Sequence, residues 1–162
     1  MKMELVGVRS EMRTNQPIVL LRELEGAGRV LPIFIGGSEA TAISLSLDGV
    51  TPPRPMTHDL FLQTLEMVGA TIDKVTITRL EDKTFYAELT VVADKNTYTV
   101  SARPSDSLAL AVRDQIPIFV DPAVLDEAAY QEDRDAEDDD QTVEEFREFL
   151  DGISPEDFES TE

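Results

Sequence analysis

Residues 31–40 read LPIFIGGSEA, an apolar strand that turns at two glycines into a helix beginning near Ser38 and Glu39. Two further segments have similar helix starts: residues 54–60 read RPMTHDL and residues 101–111 read SARPSDSLALA. In each, a hydroxyl residue and an acid stand where a helix is predicted to begin. A helix start presents free backbone N–H groups and partial positive charge. If the fold gathers these starts, acids, one histidine and two arginines share a small space, which predicts a candidate site.

The hydrophobic pattern around these segments predicts seven strands and four helical segments. The predicted strands cover residues 3–9, 16–24, 29–35, 70–79, 84–92, 97–102 and 116–120. The predicted helices cover residues 38–47, 57–68, 105–114 and a last turn or two within 121–130. These elements favour an α+β fold, with a mixed or antiparallel β-sheet and two or three packed helices.

Individual residues predict where the helices end and which faces they bury. The predicted N-caps are Ser38, Thr57 and Ser105, and Gly69 is a predicted C′ glycine. The predicted buried faces carry Ala40, Ile43 and Leu47 in the first helix, and Leu60, Phe61, Leu65 and Val68 in the second.

The two halves of the chain also resemble one another weakly. Residues 38–43 (SEATAI) are similar to residues 105–110 (SDSLAL), and residues 31–35 (LPIFI) are similar to residues 116–120 (IPIFV). Two related strand–helix units packed on one sheet would produce this pseudo-repeat. Chance among Ala-, Leu- and Ser-rich segments would produce it equally well.

The net charge of -19 is concentrated near the C-terminal end. Residues 131–162 hold 15 acids and 2 bases, or -13, while residues 1–130 hold 18 acids and 12 bases, or -6. The sequence therefore predicts a domain at 1–130, an acidic disordered linker at 131–142 and a short amphipathic acidic helix at 143–162. This tail either solubilises the protein or binds a protein partner. Its acids could also occupy a cationic groove in place of nucleic acid.

Composition narrows the functional class further. The chain has no cysteine, which excludes disulfides, thiolate metal sites and cysteine catalysis. No stretch approaches the roughly 20 apolar residues of a membrane span, and residues 1–4 (MKME) lack the layout of a secretory signal. We therefore expect a cytoplasmic protein without membrane association. The domain also lacks a Lys/Arg-rich stripe, which argues against tight non-specific nucleic-acid binding.

Three motifs closely resemble those of the bifunctional nuclease domain family of bacteria and plants: GGSEA at 36–40, RPMTHDL at 54–60 and ARPSDSLALA at 102–111. The resemblance covers about residues 3–130. It implies an α+β domain that is commonly a homodimer and acts on RNA and DNA. One departure is Ser101, since many members of the family have Asp at this position.

The same motifs hold residue types suited to nuclease chemistry. Phosphodiester hydrolysis needs an activated water and charge neutralisation at phosphorus, commonly from carboxylate-held Mg²⁺ or Mn²⁺. Arginine binds phosphate oxygens in a bidentate manner, and the only histidine can act as a general base. The candidates are Glu39, Asp59 and Asp106 as metal ligands, Arg54, Arg103 and Ser105 for the substrate, and His58 with the three acids for catalysis.

Structural roles explain the same residues without any chemistry. An acid in the first helical turn stabilises the helix by roughly 0.3–1 kcal/mol, a serine there caps backbone N–H groups, and His58 could serve as a hydrogen-bonding residue in the interior. On the family resemblance, the leading function is a nuclease. The alternative is a non-catalytic dimeric regulatory or interaction module with a partner-binding tail. A third reading is binding of a small anion at the helix starts without turnover.

Overall fold

A computed structural model describes residues 1–11 and 14–131 of the chain. The strands are β1 (Lys2–Ser10), β2 (Pro17–Glu23), β3 (Arg29–Phe34), β4 (Ala70–Glu81), β5 (Thr84–Ala93), β6 (Asn96–Ala102), β7 (Ile118–Val120) and β8 (Tyr130–Gln131). The helices are α1 (Gly37–Leu47), α2 (Thr57–Met67), α3 (Pro104–Asp114) and α4 (Pro122–Ala128). Every element predicted within residues 1–131 is present, with ends that differ by at most two residues. Strand β8 was not predicted, because two residues carry no periodic pattern.

The strands form one eight-stranded sheet in the order β6-β5-β4-β7-β1-β2-β3-β8. Neighbouring strands are antiparallel except β4 and β7, which are parallel, so the predicted α+β fold with a mixed sheet is confirmed. The two halves share a plan, because a three-stranded antiparallel meander is followed by a helix in each. The first unit is β1-β2-β3-α1 and the second is β4-β5-β6-α3. This arrangement agrees with the predicted pseudo-repeat at residues 38–43 and 105–110, which lie in α1 and α3. It does not agree with the similarity of residues 31–35 to 116–120, because β3 precedes α1 whereas β7 follows α3.

The turns are formed by residues that tolerate a left-handed backbone. The hairpin between β4 and β5 turns at Asp82 and Lys83 (φ 47° and 62°), and the hairpin between β5 and β6 turns at Asp94 (φ 55°). Gly69, with φ 70°, follows the C-cap of α2. Glycine adopts this conformation without the steric cost of a Cβ atom. The predicted C′ glycine is therefore confirmed.

Helices α1 and α3 pack over the sheet and complete one main hydrophobic core. Ile43 of α1 and Leu108 of α3 are fully buried and belong to the same core cluster as Val75 and Ile77 of β4. Burial of each such side chain contributes roughly 1.5–3 kcal/mol relative to exposure. The prediction for Leu47 was wrong, since this residue at the end of α1 is 43% exposed. This packing fixes the starts of α1 and α3, which bear the candidate site.

Helix α2 differs from the other helices because none of its residues is fully buried. Only Leu62 and Leu65 pack against the core as partly buried residues. The predicted buried stripe was wrong for the other three members, Leu60, Phe61 and Val68, which are 58%, 43% and 71% exposed. An apolar stripe predicts a covered face but does not say what covers it.

The remaining points concern membrane-spanning helices and the acidic C-terminal region. Among residues 1–11 and 14–131, no helix combines the length and apolar character needed to cross a bilayer. The predicted acidic linker at 131–142, except for Gln131, and the predicted helical tail at 143–162 lie outside the described residues.

Candidate active site

The three candidate acids occupy the same position in three different helices. Glu39, Asp59 and Asp106 are each the third residue of their helix, in α1, α2 and α3. A carboxylate at this position lies near the free backbone N–H groups of the first turn. The predicted helix starts are therefore confirmed, and each has an acid in its first turn.

The predicted N-caps were wrong by one or two residues. The N-caps are Gly36, Met56 and Arg103, and none of them accepts a side-chain capping bond. Ser38, Thr57 and Ser105 lie within the first turn instead. The acids supply local bonds in their place: in α2, the backbone N–H of Met56 donates to Asp59 Oδ2 at 2.8 Å. An acid at the third position can replace a hydroxyl cap, and sequence cues did not separate the two arrangements.

Arg103 joins the starts of α1 and α3. Its Nε and Nη2 donate to the two carboxylate oxygens of Asp106 at 2.8 and 3.0 Å, and its Nη1 lies 3.1 Å from Glu39 Oε1. The start of α2 reaches the same group, because His58 Nε2 lies 3.6 Å from Asp106 Oδ1. At that distance the two groups form an ion pair when His58 is protonated, rather than a good hydrogen bond. The four residues Glu39, His58, Arg103 and Asp106 are hereafter called the Arg103 cluster.

The members of the Arg103 cluster differ in how much solvent they meet. The Arg103 side chain is 66% exposed, although it bonds two carboxylates. Glu39 and His58 are much less exposed, at 18% and 16%. The guanidinium group therefore has an outer surface that an incoming anion can reach, while the groups that hold it lie deeper.

Both carboxylates of the Arg103 cluster are ionised at neutral pH. The pKa of Glu39 is lowered mainly by a hydrogen bond from its own backbone N–H, with further help from the Ser38 hydroxyl and Arg103, although burial opposes the change. Burial raises the pKa of Asp106, but hydrogen bonds and charge from Arg103, followed by His58, outweigh it and leave that pKa below its usual value. Asp106 and then Glu39 raise the pKa of Arg103. The cluster thus contains two anions and one cation before His58 is counted.

Asp59 does not bond Arg103 but takes part in a separate contact with Arg113 and Met56. Its Oδ1 accepts a hydrogen bond from Arg113 Nε at 2.9 Å, while its Oδ2 accepts the bond from Met56. Arg113 also donates to the backbone oxygens of Ala109 and Ala42, at 2.8 and 2.9 Å. Asp59 therefore takes part in a contact among α1, α2 and α3 whose centre, Arg113, is only 8% exposed. These contacts favour a structural role for Asp59.

The two remaining substrate candidates lie in different surroundings. Arg54 is exposed in the loop before α2, and within residues 1–11 and 14–131 it takes no part in the bonds of the Arg103 cluster. Ser105 is buried, with 7% of its surface exposed, and lines a cavity beside Arg103. The structure thus brings together four of the seven candidates and places a fifth next to them.

The predicted metal ligands do not form one three-carboxylate site. In the part of the chain that the structure describes, no three His, Cys, Asp or Glu side chains are arranged to hold a metal ion. Glu39 and Asp106 are the two carboxylates available, and a cation between them would have to compete with the guanidinium of Arg103. Asp59 has both oxygens in other bonds. The residues therefore do not fit the predicted triad.

A cavity of about 440 Å³ opens next to the Arg103 cluster. Glu39 and Arg103 belong both to the cluster and to the cavity wall. The rest of the wall comes from β3, β4, β5, α3 and α4 with their adjoining turns. The cavity is lined in part by aromatic and aliphatic side chains, including Phe34 and Phe85. An anionic ligand with an apolar portion can therefore meet both surfaces at one place.

Comparison with known proteins agrees with the resemblance that the three motifs carry. A family model described as the bifunctional nuclease domain matches residues 19–133, more than half of the chain. The chain belongs to this family. An uncharacterized protein of Mycobacterium tuberculosis is 46% identical to this bifunctional nuclease domain protein over 166 residues, which cover 99% of both chains.

More distant similarity extends to plants. Bifunctional nuclease 2 of Oryza sativa subsp. japonica is 29% identical over 108 residues, covering 65% of this chain and 33% of the rice protein. Bifunctional nuclease 1 of Arabidopsis thaliana is 25% identical over 107 residues, covering 64% of this chain and 33% of the plant protein. The shared region is thus about a third of each plant nuclease.

Sequence reasoning missed two features of this bifunctional nuclease domain. Arg113 was not a candidate, and its position in the last turn of α3 predicts no more than a favourable interaction with the helix dipole. Phe34 and Phe85 were not candidates either, because each belongs to an ordinary strand pattern. Only the fold shows that strands separated in sequence line one cavity.

Proposed function

We propose that this bifunctional nuclease domain hydrolyses phosphodiester bonds of RNA or DNA. Family membership and the printed names of the plant relatives support the reaction class. The observation that carries the proposal is the exposed guanidinium of Arg103, which carboxylates from two helix starts hold beside a cavity. A fixed and accessible arginine is the group that binds phosphate oxygens best.

The proposed roles follow from the contacts in the Arg103 cluster. Arg103 binds the non-bridging oxygens of the scissile phosphate and stabilises the charge that develops on them. His58 takes a proton from the attacking water, and Asp106, whose Oδ1 lies 3.6 Å from His58 Nε2, stabilises the charged form of the imidazole. The water oxygen bonds to phosphorus, the phosphorus–oxygen ester bond breaks, and the departing oxygen takes a proton from solvent. Glu39 keeps the guanidinium in position.

A requirement for Mg²⁺ or Mn²⁺ stays a prediction from the sequence, and no step above uses a metal. Glu39 and Asp106 are the two residues that could take part in holding such an ion, together with substrate phosphate oxygens. Cleavage assays with added Mg²⁺, added Mn²⁺ and excess EDTA test the requirement directly.

Hydrolysis of single-stranded RNA and DNA by the purified full chain tests the proposed activity. Asp106→Asn is expected to lower the rate by roughly 100-fold, because it removes the negative charge that stabilises protonated His58 and that pairs with Arg103. Glu4→Gln is the matched control, since Glu4 is an exposed acid that faces Arg22 on a strand outside the site. Equal cleavage by wild type and Asp106→Asn would trace the activity to a contaminating nuclease and overturn the proposal.

Gly36 provides a second, subtler probe of Glu39. A Cβ atom at Gly36 would collide with the Glu39 carboxylate, whereas a Cβ atom at Gly37 would meet nothing within 4 Å. The backbone of Gly36 is extended (φ -74°, ψ 160°) and suits alanine, so the flexible carboxylate moves. We expect Gly36→Ala to lower cleavage by roughly 10-fold while changing the free energy of unfolding by less than about 1 kcal/mol. Gly37→Ala is the control. Equal losses of cleavage rate in Gly36→Ala and Gly37→Ala would show that displacement of the Glu39 carboxylate is not the cause.

We also propose that the protein forms a homodimer through the exposed apolar side of α2. Met67 and Val68 are 87% and 71% exposed, and Leu60 is 58% exposed. Tyr98 and Val100 on the edge strand β6 are also exposed and lie beside buried residues of β5, so they point to the sheet face that the helices cover. Exposed apolar groups of this number mark a surface that another protein covers. The same surface would also serve the alternative function, that of a non-catalytic dimeric module. The cleavage assay distinguishes such a module from a nuclease.

Met67→Glu is expected to weaken dimerisation at least about 100-fold, because a buried charge without a partner is costly. In the isolated protomer the substitution changes the free energy of unfolding little, since Met67 is almost fully exposed. Leu24→Glu is the control, because Leu24 is 47% exposed in the hairpin between β2 and β3. Sedimentation velocity measures the change. A wild-type protein that sediments as a monomer, or a Met67→Glu variant that dimerises unchanged, would contradict the proposed interface.

Two further expectations stay predictions. A protein partner for the acidic tail depends on residues outside those described. A cytoplasmic location rests on the composition of the chain, and cell fractionation would test it.

A further inference from the structure

We propose that the cavity beside Arg103 is a subsite for one unpaired nucleobase, so that the preferred substrate is a single-stranded nucleic acid. This inference rests on the proposed nuclease function and names the substrate class for the same site. The cavity shares Arg103 and Glu39 with the Arg103 cluster. A nucleotide bound with its phosphate on Arg103 therefore has its sugar and base within reach of the cavity.

The walls of the cavity suit a flat apolar group. Phe85 on β5 and Leu80 on β4 line it together with Ile33 and Ile35. Phe34 on β3 also lines it, while packing against the cluster of Ile18, Leu20 and Val30. Ile33 and Ile35 are buried, at 2% and 5% exposed, so this part of the wall belongs to the rigid core of the sheet. Bases stack on aromatic side chains of single-strand-binding proteins, and the contact tolerates any base sequence because every base has a π-face.

The volume of the cavity matches one nucleoside. A cavity of about 150 Å³ takes a single benzene ring, so about 440 Å³ accommodates one purine base with its sugar. It is too small for a base pair with two backbones. A base in a duplex would first have to leave its stack, which costs a few kcal/mol. We therefore expect single strands to bind more tightly than duplexes of the same length.

The polar part of the wall suits a nucleotide better than a plain hydrocarbon ligand. The lining includes the hydroxyl groups of Thr84 and Ser105 and the carboxylate of Glu127. Ligand pockets of this kind combine apolar walls with a few polar groups that orient the ligand. A carboxylate accepts hydrogen bonds from exocyclic amino groups of bases. We accordingly expect bases with an amino group to be favoured over uracil and thymine.

An abasic oligonucleotide separates base binding from phosphate binding. The full-length protein in EDTA is mixed with a fluorescent single-stranded DNA or with the same strand lacking its bases, and anisotropy gives the two Kd values. We expect the intact strand to bind roughly 5- to 100-fold more tightly, the range that stacking of one base supplies. Phe34→Leu and Phe85→Leu should each reduce this ratio, because leucine keeps apolar volume but removes the ring. Phe119→Leu is the matched control, since Phe119 is a partly exposed ring on β7 outside the cavity lining.

Equal Kd values for intact and abasic strands would overturn the subsite, and this comparison needs no variant to fold. A ratio that survives both Phe34→Leu and Phe85→Leu, with thermal unfolding showing that the variants are folded, would overturn it as well. Failure of the nuclease proposal gives a different result: the intact strand still binds preferentially in EDTA, but no hydrolysis is seen under any metal condition. The two proposals are therefore distinguishable.

Discussion

Arg103→Ala is expected to reduce kcat/KM for nucleic-acid cleavage by roughly 100- to 1,000-fold, the range typical for removal of one group that stabilises developing charge. The loss has two sources. The phosphate loses its cationic partner, and Glu39 and Asp106 lose the guanidinium that lies between them. Without that group, the pKa of Asp106 rises from its lowered value, because Arg103 supplies most of the lowering, whereas the backbone hydrogen bond and the Ser38 hydroxyl still lower the pKa of Glu39.

The effect on folding should be small, because the Arg103 side chain is 66% exposed and fills little of the core. Arg103→Lys separates charge from geometry. Lysine keeps the positive charge but cannot bond both oxygens of Asp106 and reach Glu39 with one planar group. We expect it to recover only part of the lost activity.

Arg79→Ala is the matched control for Arg103→Ala. Arg79 is 53% exposed and bonds Glu81 at 3.2 Å, so it resembles Arg103 in exposure and in pairing with an acid. Its guanidinium lies over the Tyr86 ring, 3.8 Å from the centroid, and outside the Arg103 cluster. The cleavage rate of Arg79→Ala should stay within about 2-fold of wild type, since Arg79 lies outside the site and exposed ion pairs contribute little to stability. Initial rates on a single-stranded substrate, with thermal unfolding of each variant, measure the difference. Activity retained by Arg103→Ala would remove Arg103 from the reaction.

The sequence predicted the secondary structure well because each element carries a local pattern. Strand β5 alternates buried and partly buried residues, and the α3 segment combines Pro104 at its first turn with an apolar stripe. These signals depend on neighbours within a few residues. The same locality explains the errors. A stripe such as Leu60, Phe61 and Val68 records that a face is apolar, whereas only the packing of α2 on the rest of the fold decides whether that face is covered.

The candidate site was predictable to the extent that its residues lie at helix starts. Glu39 and Asp106 were candidates for that reason, and the fold brings them to one guanidinium. Asp59 carried the same local signal, yet its partner is Arg113, a residue 54 positions further along the chain. No local pattern distinguishes an acid that meets a solvent-exposed arginine from one that meets a buried arginine. That difference depends on tertiary structure.

Arg113→Ala is expected to lower the free energy of unfolding by about 3–5 kcal/mol, the cost typical of breaking a largely buried ion pair from one side. Arg113 is 8% exposed and bonds groups on three helices, namely Asp59 in α2 and the backbone oxygens of Ala42 and Ala109 in α1 and α3. Helix α2 depends on this contact because it has no fully buried residue of its own. Chemical denaturation measures the loss, and Arg79→Ala, with an expected change of about 0–1 kcal/mol, provides the comparison.

Asp59→Asn then separates the structural role of this residue from the metal-binding role that its sequence position suggested. The amide oxygen can still accept one hydrogen bond, so we expect a loss of only about 1–2 kcal/mol in stability. Cleavage by the folded variant should stay within a few-fold of wild type, because Asp59 bonds Arg113 and Met56 rather than Arg103. If cleavage instead falls by about 100-fold at unchanged stability, Asp59 acts on the substrate or on a metal, and the contact with Arg113 must open during the reaction.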